Sequence, residues 1–201
     1  MTELHSRQKL ILASGNPGKL REYQVLAAGH PELELELLPA FSAIPEFPED
    51  APTFAENAAG KALYYSKHSD GLVFADDSGL VVPSLGGAPG VLSARYAGPG
   101  ASSEQRNTKL LAELQGKTGA ERVAYFVCVI ALAKGGQCLA VVSGKVDGEI
   151  LPQPRGTGGF GYDPIFYFPQ LGKSFAELNA GEKNQHSHRG KAFGRLMEIL
   201  K

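Results

Sequence analysis

The sequence has no tryptophan, only two cysteines and two methionines, and almost no net charge: 20 Lys and Arg stand against 21 Asp and Glu in 201 residues, for a formal charge of −1. Two cysteines cannot build a disulfide scaffold, and neither has metal-site partners nearby in the sequence. Cys128 and Cys138 flank the apolar run VIALA and a Lys-Gly-Gly turn, placed to face each other across a hairpin. No secretory signal pattern is present, so reduced packing thiols and a cytoplasmic location are expected. No apolar stretch reaches the ~18 residues of a membrane span. Without a basic tail or surplus, no nucleic-acid or membrane partner is expected. A polyphosphate ligand would need cations placed locally.

Hydrophobic residues make up 43% of the chain, enough for a packed core, and residues 1–201 read as one domain. The run at 8–13 reads as a strand, and 18–28 as a helix turning Leu20, Tyr23 and Leu26 inward. ELELEL at 32–37 alternates as a half-exposed strand does. A proline-rich acidic loop covers 39–52, and TFAE opens a helix to about Ser66, with Thr53 as N-cap and Glu56 three residues on. LVFA at 72–75 predicts a short buried strand ending in DDSG. Residues 102–116 predict a helix closed by glycine, and RVAYFVCVIALA with QCLAVVSGKV a long hairpin. A Gly- and Pro-rich loop at 151–163 precedes strand IFYF. A last helix sets Ala192, Phe193, Leu196, Met197 and Leu200 on one face. This mixture, with an antiparallel hairpin in the middle, predicts an α/β protein built on a mixed sheet.

Five stretches carry candidate chemistry. In SGNPGK, Ser14, Gly15, Asn16, Pro17, Gly18 and Lys19 stand where a strand gives way to a helix, and a helix N-terminus attracts anions. The spacing is not that of a Walker A loop, and an ordinary strand-to-helix turn has the same composition. In FADDSG, Asp76, Asp77 and Ser78 reach the end of the predicted strand, where ligands bind in α/β sheets. Alternation points at most one carboxylate to a given site, the other bracing the loop; an Asx turn is the plainer alternative. Glu46, Glu49 and Asp50 precede a helix, as a solvated acidic loop or as a second hard oxygen ligand for Mg²⁺. Lys61, two turns into that helix, belongs to the surface or to a phosphate.

RGTGGFGYDP supplies four glycines with Phe160, Gly161, Tyr162 and Asp163, a loop suited to hydrogen-bonding and stacking on a flat ligand unless it is a flexible hairpin loop. Lys183, His186, His188, Arg189 and Lys191 gather near a helix start, as a donor cluster or a solvated basic face. His186 and His188 are two apart, the wrong spacing for a helical zinc pair. Taken together, the five stretches describe a magnesium–nucleotide site.

In order and spacing, SGNPGKLREY, TFAENAAGKA, FADDSGLVVPSLGGAPGVLSARYAG, GTGGFGYDPIF and EKNQHSHRGKAF resemble the inosine triphosphate pyrophosphatase family over nearly the whole chain. The resemblance implies an elongated mixed sheet with flanking helices, two lobes and a central cleft, and a homodimer. It implies Mg²⁺-dependent hydrolysis of ITP, dITP, XTP and dXTP to the monophosphate and pyrophosphate. It places Ser14 to Lys19 and Lys61 on the phosphates, Glu49 and Asp77 on Mg²⁺, and makes Asp77 the proton acceptor, with Ser78 beside it on the substrate. Phe160, Gly161, Tyr162, Asp163, Lys183, His188 and Arg189 would hold base and sugar. Maf-like nucleotide hydrolases are a poorer match, because their loop carries Ser-x-x-Arg-Arg features missing from SGNPGKL. A non-catalytic nucleotide-binding regulator would be expected to lose Asp77 or Glu49.

Overall fold

The structure is a computed structural model that describes residues 7–201. Twelve principal elements follow in chain order. They are β1 (Gln8–Leu12), α1 (Pro17–Ala28), β2 (Leu33–Leu37), α2 (Phe54–Tyr65), β3 (Leu72–Val81), α3 (Ser103–Glu113), β4 (Val123–Lys134), β5 (Gln137–Ile150), β6 (Phe166–Phe168), β7 (Lys173–Ser174), α4 (Ala180–His186) and α5 (His188–Ile199). The strands form one seven-stranded sheet in the order β2-β1-β3-β4-β5-β6-β7. β1 pairs in parallel with β2 and with β3, setting Leu12 against Leu37 and Phe74, whereas β6 pairs antiparallel with β5 and β7. The sheet is therefore mixed. α1 supplies the crossover that a parallel pair needs. Gly135 and Gly136, both at positive φ, make the tight turn between β4 and β5.

The chain divides into two compact units. One holds residues up to Asp77 with Val129–Ser143 and Ala192–Lys201; the other holds Ser78–Cys128 and Gly144–Lys191. The core of the first includes Leu10, Leu12, Tyr23, Phe74 and Phe193, all buried. The Tyr23 ring meets Phe74 edge-on at 5.0 Å and Phe193 at 5.7 Å. Each such side chain contributes about 1.5–3 kcal/mol by leaving water. Of the apolar face read for the last helix, Ala192, Phe193, Leu196 and Met197 are buried, while Leu200 lies past the end of α5. In the second unit, Leu80, Leu110, Phe126, Ile150, Phe166 and Phe175 build a separate apolar cluster.

Two expectations are corrected. The strand read as 72–75 runs on to Val81, with Asp76, Asp77 and Ser78 inside it rather than at its end. Ser-Gly looked like a stop, but Leu80, Val81 and Val82 are apolar and buried and carry the extended backbone onward. Lys183 and His186 lie in α4 and His188, Arg189 and Lys191 in α5, with extended Ser187 between the two helices. Cys138 is exposed rather than packed; Cys128 is buried, and neither is in a disulfide.

Candidate active site

The candidate phosphate loop begins where β1 ends. Asn16 caps α1, its Oδ1 accepting from Gly18 N at 2.9 Å and Lys19 N at 3.1 Å, while Asn16 N donates to Ser14 Oγ at 3.2 Å. Pro17 occupies the first turn, where its missing N–H costs nothing. The loop's own side chains thus hold N–H groups of the kind that an anion would take. Lys19 turns back across the loop: its Nζ lies 3.0 Å from Asp76 Oδ2 and donates to the Asp76 carbonyl oxygen at 3.2 Å.

The inward face of α2 carries Asn57, Ala58, Lys61, Ala62 and Tyr65. Asn57 and Lys61, four apart, share one side of that helix. Thr53 caps it as expected, accepting from Glu56 N; Glu56 accepts in turn from the Thr53 hydroxyl at 2.7 Å. Lys61 Nζ donates to Glu49 Oε1 at 2.6 Å and to the Asp76 carbonyl at 2.9 Å. Asn57 Nδ2 donates to Asp77 Oδ2 at 3.0 Å. Phe47 holds the acidic loop on the helix: its N–H donates to the Tyr65 hydroxyl, and its ring sits where a Cβ on Gly60 would fall. The structure therefore brings Lys19, Glu49, Lys61, Asp76 and Asp77 into one charge cluster, with Lys61, Asp76 and Asp77 buried and Lys19 and Glu49 partly so. Glu46 and Asp50 are exposed.

Electrostatics within the cluster follow from burial and neighbours. Burial pushes the Asp77 carboxyl above its ordinary value of 3.8, with Glu49 adding to the rise while Lys19, Lys61 and the Asn57 amide oppose it. Burial pulls Lys61 down, but the charges of Glu49 and Asp76 outweigh it and hold the ammonium above its ordinary 10.5. Lys61 therefore stays charged at neutral pH. Asp77 is a carboxyl whose proton is held more tightly than usual, as suits a group that takes a proton from water.

The glycine–aromatic loop and the donor cluster meet in the second unit. Asp163 Oδ2 accepts from Phe160 N at 2.7 Å and is also held by Lys183 Nζ, so one buried carboxylate ties the loop to α4. The Phe160 ring lies 5.0 Å from Lys183 Nζ and 5.7 Å from the Arg189 guanidinium. Arg189 is 2% exposed and donates to Ser78 Oγ at 2.8 Å. His188 stacks on Phe126, centroids 4.6 Å apart and planes within 11°. Gly161 presents its carbonyl to the Asn107 amide at 3.2 Å. Tyr162 belongs to the core, its hydroxyl donating to the Ser93 carbonyl at 3.0 Å. Lys191 reaches away to the Lys145 carbonyl, and the His186 ring packs near Phe168.

Sequence reasoning missed Asn57, Ser93 and Asn107 as organisers of these clusters. One signal was present for Asn57: a poor helix former at the fourth position of a helix already capped by Thr53. Nothing local marked Ser93 or Asn107, whose partners lie 69 and 54 residues away.

Among the described residues, no group of three or more His, Cys, Asp or Glu could hold a metal ion. Two carboxylates with lysines beside them suit a cation that takes only one or two protein oxygens and completes its shell with phosphate and water, the habit of Mg²⁺.

A mixed α/β sheet carrying a carboxylate–lysine cluster on one unit and a donor–aromatic cluster on the other defines the class. The profile of the Ham1 family matches residues 10–199, and the chain belongs to that family. It is 48% identical to a dITP/XTP pyrophosphatase of Geobacillus kaustophilus over 95% of this chain and 93% of that one. With a dITP/XTP pyrophosphatase of Geobacter sulfurreducens it shares 47%, over 96% of each chain. Among solved structures, a HAM1 protein from Coxiella burnetii is similar at a TM-score of 0.85 and 42% identity, covering 96% of this chain and 98% of that one. A nucleoside-triphosphatase / dITP/XTP pyrophosphatase from Mycobacterium abscessus is similar at 0.71 and 38%, covering 96% and 100%.

Proposed function

We propose that the protein hydrolyses non-standard purine nucleoside triphosphates, ITP, dITP, XTP and dXTP, to the monophosphate and pyrophosphate, and so cleanses the nucleotide pool. The observation that carries this reading is the charge cluster in which Lys61 sits between Glu49 and the Asp76 backbone, with Asp77 and Lys19 alongside. Glu49 and Asp77 are the residues that would hold Mg²⁺. When bound there with the phosphates, Mg²⁺ supplies charge neutralisation and acidifies water. Asp77, as carboxylate, orients the attacking water and takes its proton. Lys19 and Lys61 neutralise charge on the departing pyrophosphate.

The base end of the nucleotide is assigned to the donor and aromatic residues. Lys183 and Arg189 carry only donors, so they match the oxygen at C6 of hypoxanthine and xanthine and confront the amino group of adenine. Ser78, Phe160, Gly161 and His188 complete this assignment, with Asp163 bracing the loop and Tyr162 anchoring it from below. The reading carries with it a cytoplasmic homodimer; among the described residues no helix is long and apolar enough to cross a membrane. Light scattering on the purified protein would test the dimer.

The experiment that tests the reading is pyrophosphate release from ITP, XTP, GTP, ATP and TTP, each with Mg²⁺ and with chelator. Release from ITP and XTP well above the other three, lost in chelator, is the expected result. Equal release from ATP, or full activity in chelator, would contradict it.

A further inference from the structure

Asn57 is completely buried, and every hydrogen-bonding group of its carboxamide is engaged. Oδ1 accepts from Ala51 N at 3.0 Å, and Nδ2 donates to Asp77 Oδ2 at 3.0 Å and, more loosely, to the Ala51 carbonyl at 3.4 Å. The two Ala51 contacts fix which end of the amide is which. Turned over, Oδ1 would face the Ala51 carbonyl and the Asp77 carboxylate, an acceptor against two acceptors. The donor aimed at Asp77 is therefore set by the backbone of a different segment.

That segment is the acidic loop. Ala51 lies two residues beyond Glu49, so Asn57 touches the carboxylate of Asp77 and the backbone next to Glu49 with one rigid group. The side chain is not needed as a helix cap, because Thr53 fills that role and Asn57 N already donates to the Thr53 carbonyl. An asparagine inside a helix is a weak helix former, and burying its amide is costly unless the amide is fully bonded. Its placement is explained by what it holds.

We propose that Asn57 is a positioning residue for the hydrolysis: it locks the Asp77 carboxylate in one orientation and, through Ala51, fixes the Glu49 segment relative to it. The inference rests on the roles assigned above to Asp77 and Glu49. It adds a residue that touches neither substrate nor metal and sets the geometry of both acidic groups.

The test uses Asn57→Ala and Asn57→Asp, each also in the Asp77→Asn background. Asn57→Asp keeps an acceptor for Ala51 N and loses the donor to Asp77, so it carries the test if Asn57→Ala does not fold. Steady-state turnover of ITP should fall by about 10–100-fold, as for groups that orient metal ligands, with KM within about threefold of the wild type. Mn²⁺ affinity measured by electron paramagnetic resonance without nucleotide should fall by about tenfold. In the Asp77→Asn background, Asn57→Asp, which keeps the Ala51 contact, should lower the residual turnover no further, since the carboxylate that Asn57 orients is already disabled, and Asn57→Ala should lower it by less than in the wild-type background, through Glu49 alone.

A folded variant that keeps wild-type kcat, or one that loses the same factor in both backgrounds, would overturn the proposal and leave Asn57 a structural residue. Unchanged Mn²⁺ affinity would overturn its link to Glu49. A wild-type protein that released no pyrophosphate from ITP or XTP would instead overturn the functional reading, and the proposal with it.

Discussion

Lys61 Nζ lies 2.6 Å from Glu49 Oε1, so an ammonium stands at the carboxylate assigned to the metal. The lysine is nearly buried while the glutamate keeps about a third of its exposure, at 9% and 35% of their side-chain surfaces. A metal ion arriving at Glu49 competes with this ammonium, and an incoming phosphate gives the ammonium a new partner. Metal and triphosphate should therefore bind more tightly together than singly.

Lys61→Met tests that exchange. Methionine keeps the length and apolar body of the side chain and removes the charge. Mn²⁺ alone should bind Lys61→Met more tightly than the wild type, while KM for ITP rises. Titrations of Mn²⁺ binding beside ITP kinetics check it. Weaker Mn²⁺ binding in the variant would mean that Lys61 and the metal do not compete for Glu49.

Asp77→Asn should separate activity from stability. Burial leads the forces that raise the native Asp77 pKa above 3.8, so the carboxylate is held at a cost to folding. The sign follows: the native state binds this proton more tightly than the unfolded chain, so stability falls as pH rises from the ordinary value through the native one. Asparagine imitates the protonated form. Asp77→Asn should melt above the wild type at pH 7, converge with it at acid pH, and lose turnover by about 10²-fold or more. Thermal melts across pH with parallel kinetics check this; a lower melting temperature at pH 7 would contradict the assigned cost.

Gly190→Ala should destabilise the junction of α4 and α5. Gly190 N donates to Ser187 Oγ at 3.0 Å, and a Cβ there would overlap the Asn184 carbonyl. Backbone cannot swing aside as a side-chain tip can, so about 1–3 kcal/mol of stability should be lost. In a protein of this size that lowers the melting temperature by about 2–4 °C per kcal/mol. Because Lys183 and His188 lie on the two helices, selectivity for ITP should weaken with it. Calorimetry and the ITP-to-ATP ratio give the two readouts.

Arg189→Ala should lose more kcat/KM on ITP than on ATP. One lost donor to the C6 oxygen costs about 1–3 kcal/mol, and adenine has no such acceptor. Lys19→Ala should instead lower activity on every base alike, leaving the ratio unchanged. Kinetics of both variants at fixed salt and Mg²⁺ compare them directly. A ratio that moved in Lys19→Ala and not in Arg189→Ala would exchange the two ends of the nucleotide.

Local patterns were legible where one short stretch holds the whole reason. Asn16-Pro17-Gly18 and Thr53-x-x-Glu56 announced their helices because caps are made within three residues. The inward stripe of Ala192, Phe193, Leu196 and Met197 followed from helical spacing alone. What stayed hidden depends on partners far along the chain. Asp76 and Asp77 looked like the end of a strand because two acids, a serine and a glycine resemble a turn; within β3, Lys19 reaches Asp76 from 57 residues away and Asn57 reaches Asp77 from 20.

The central claim is that water held by Asp77 attacks the α-phosphorus and expels pyrophosphate. Hydrolysis of ITP in water enriched in the heavy oxygen isotope, with both products examined by mass spectrometry, tests it most directly. One heavy oxygen is expected in the inosine monophosphate and none in the pyrophosphate. Label in the pyrophosphate, or formation of inosine diphosphate with labelled orthophosphate, would contradict it.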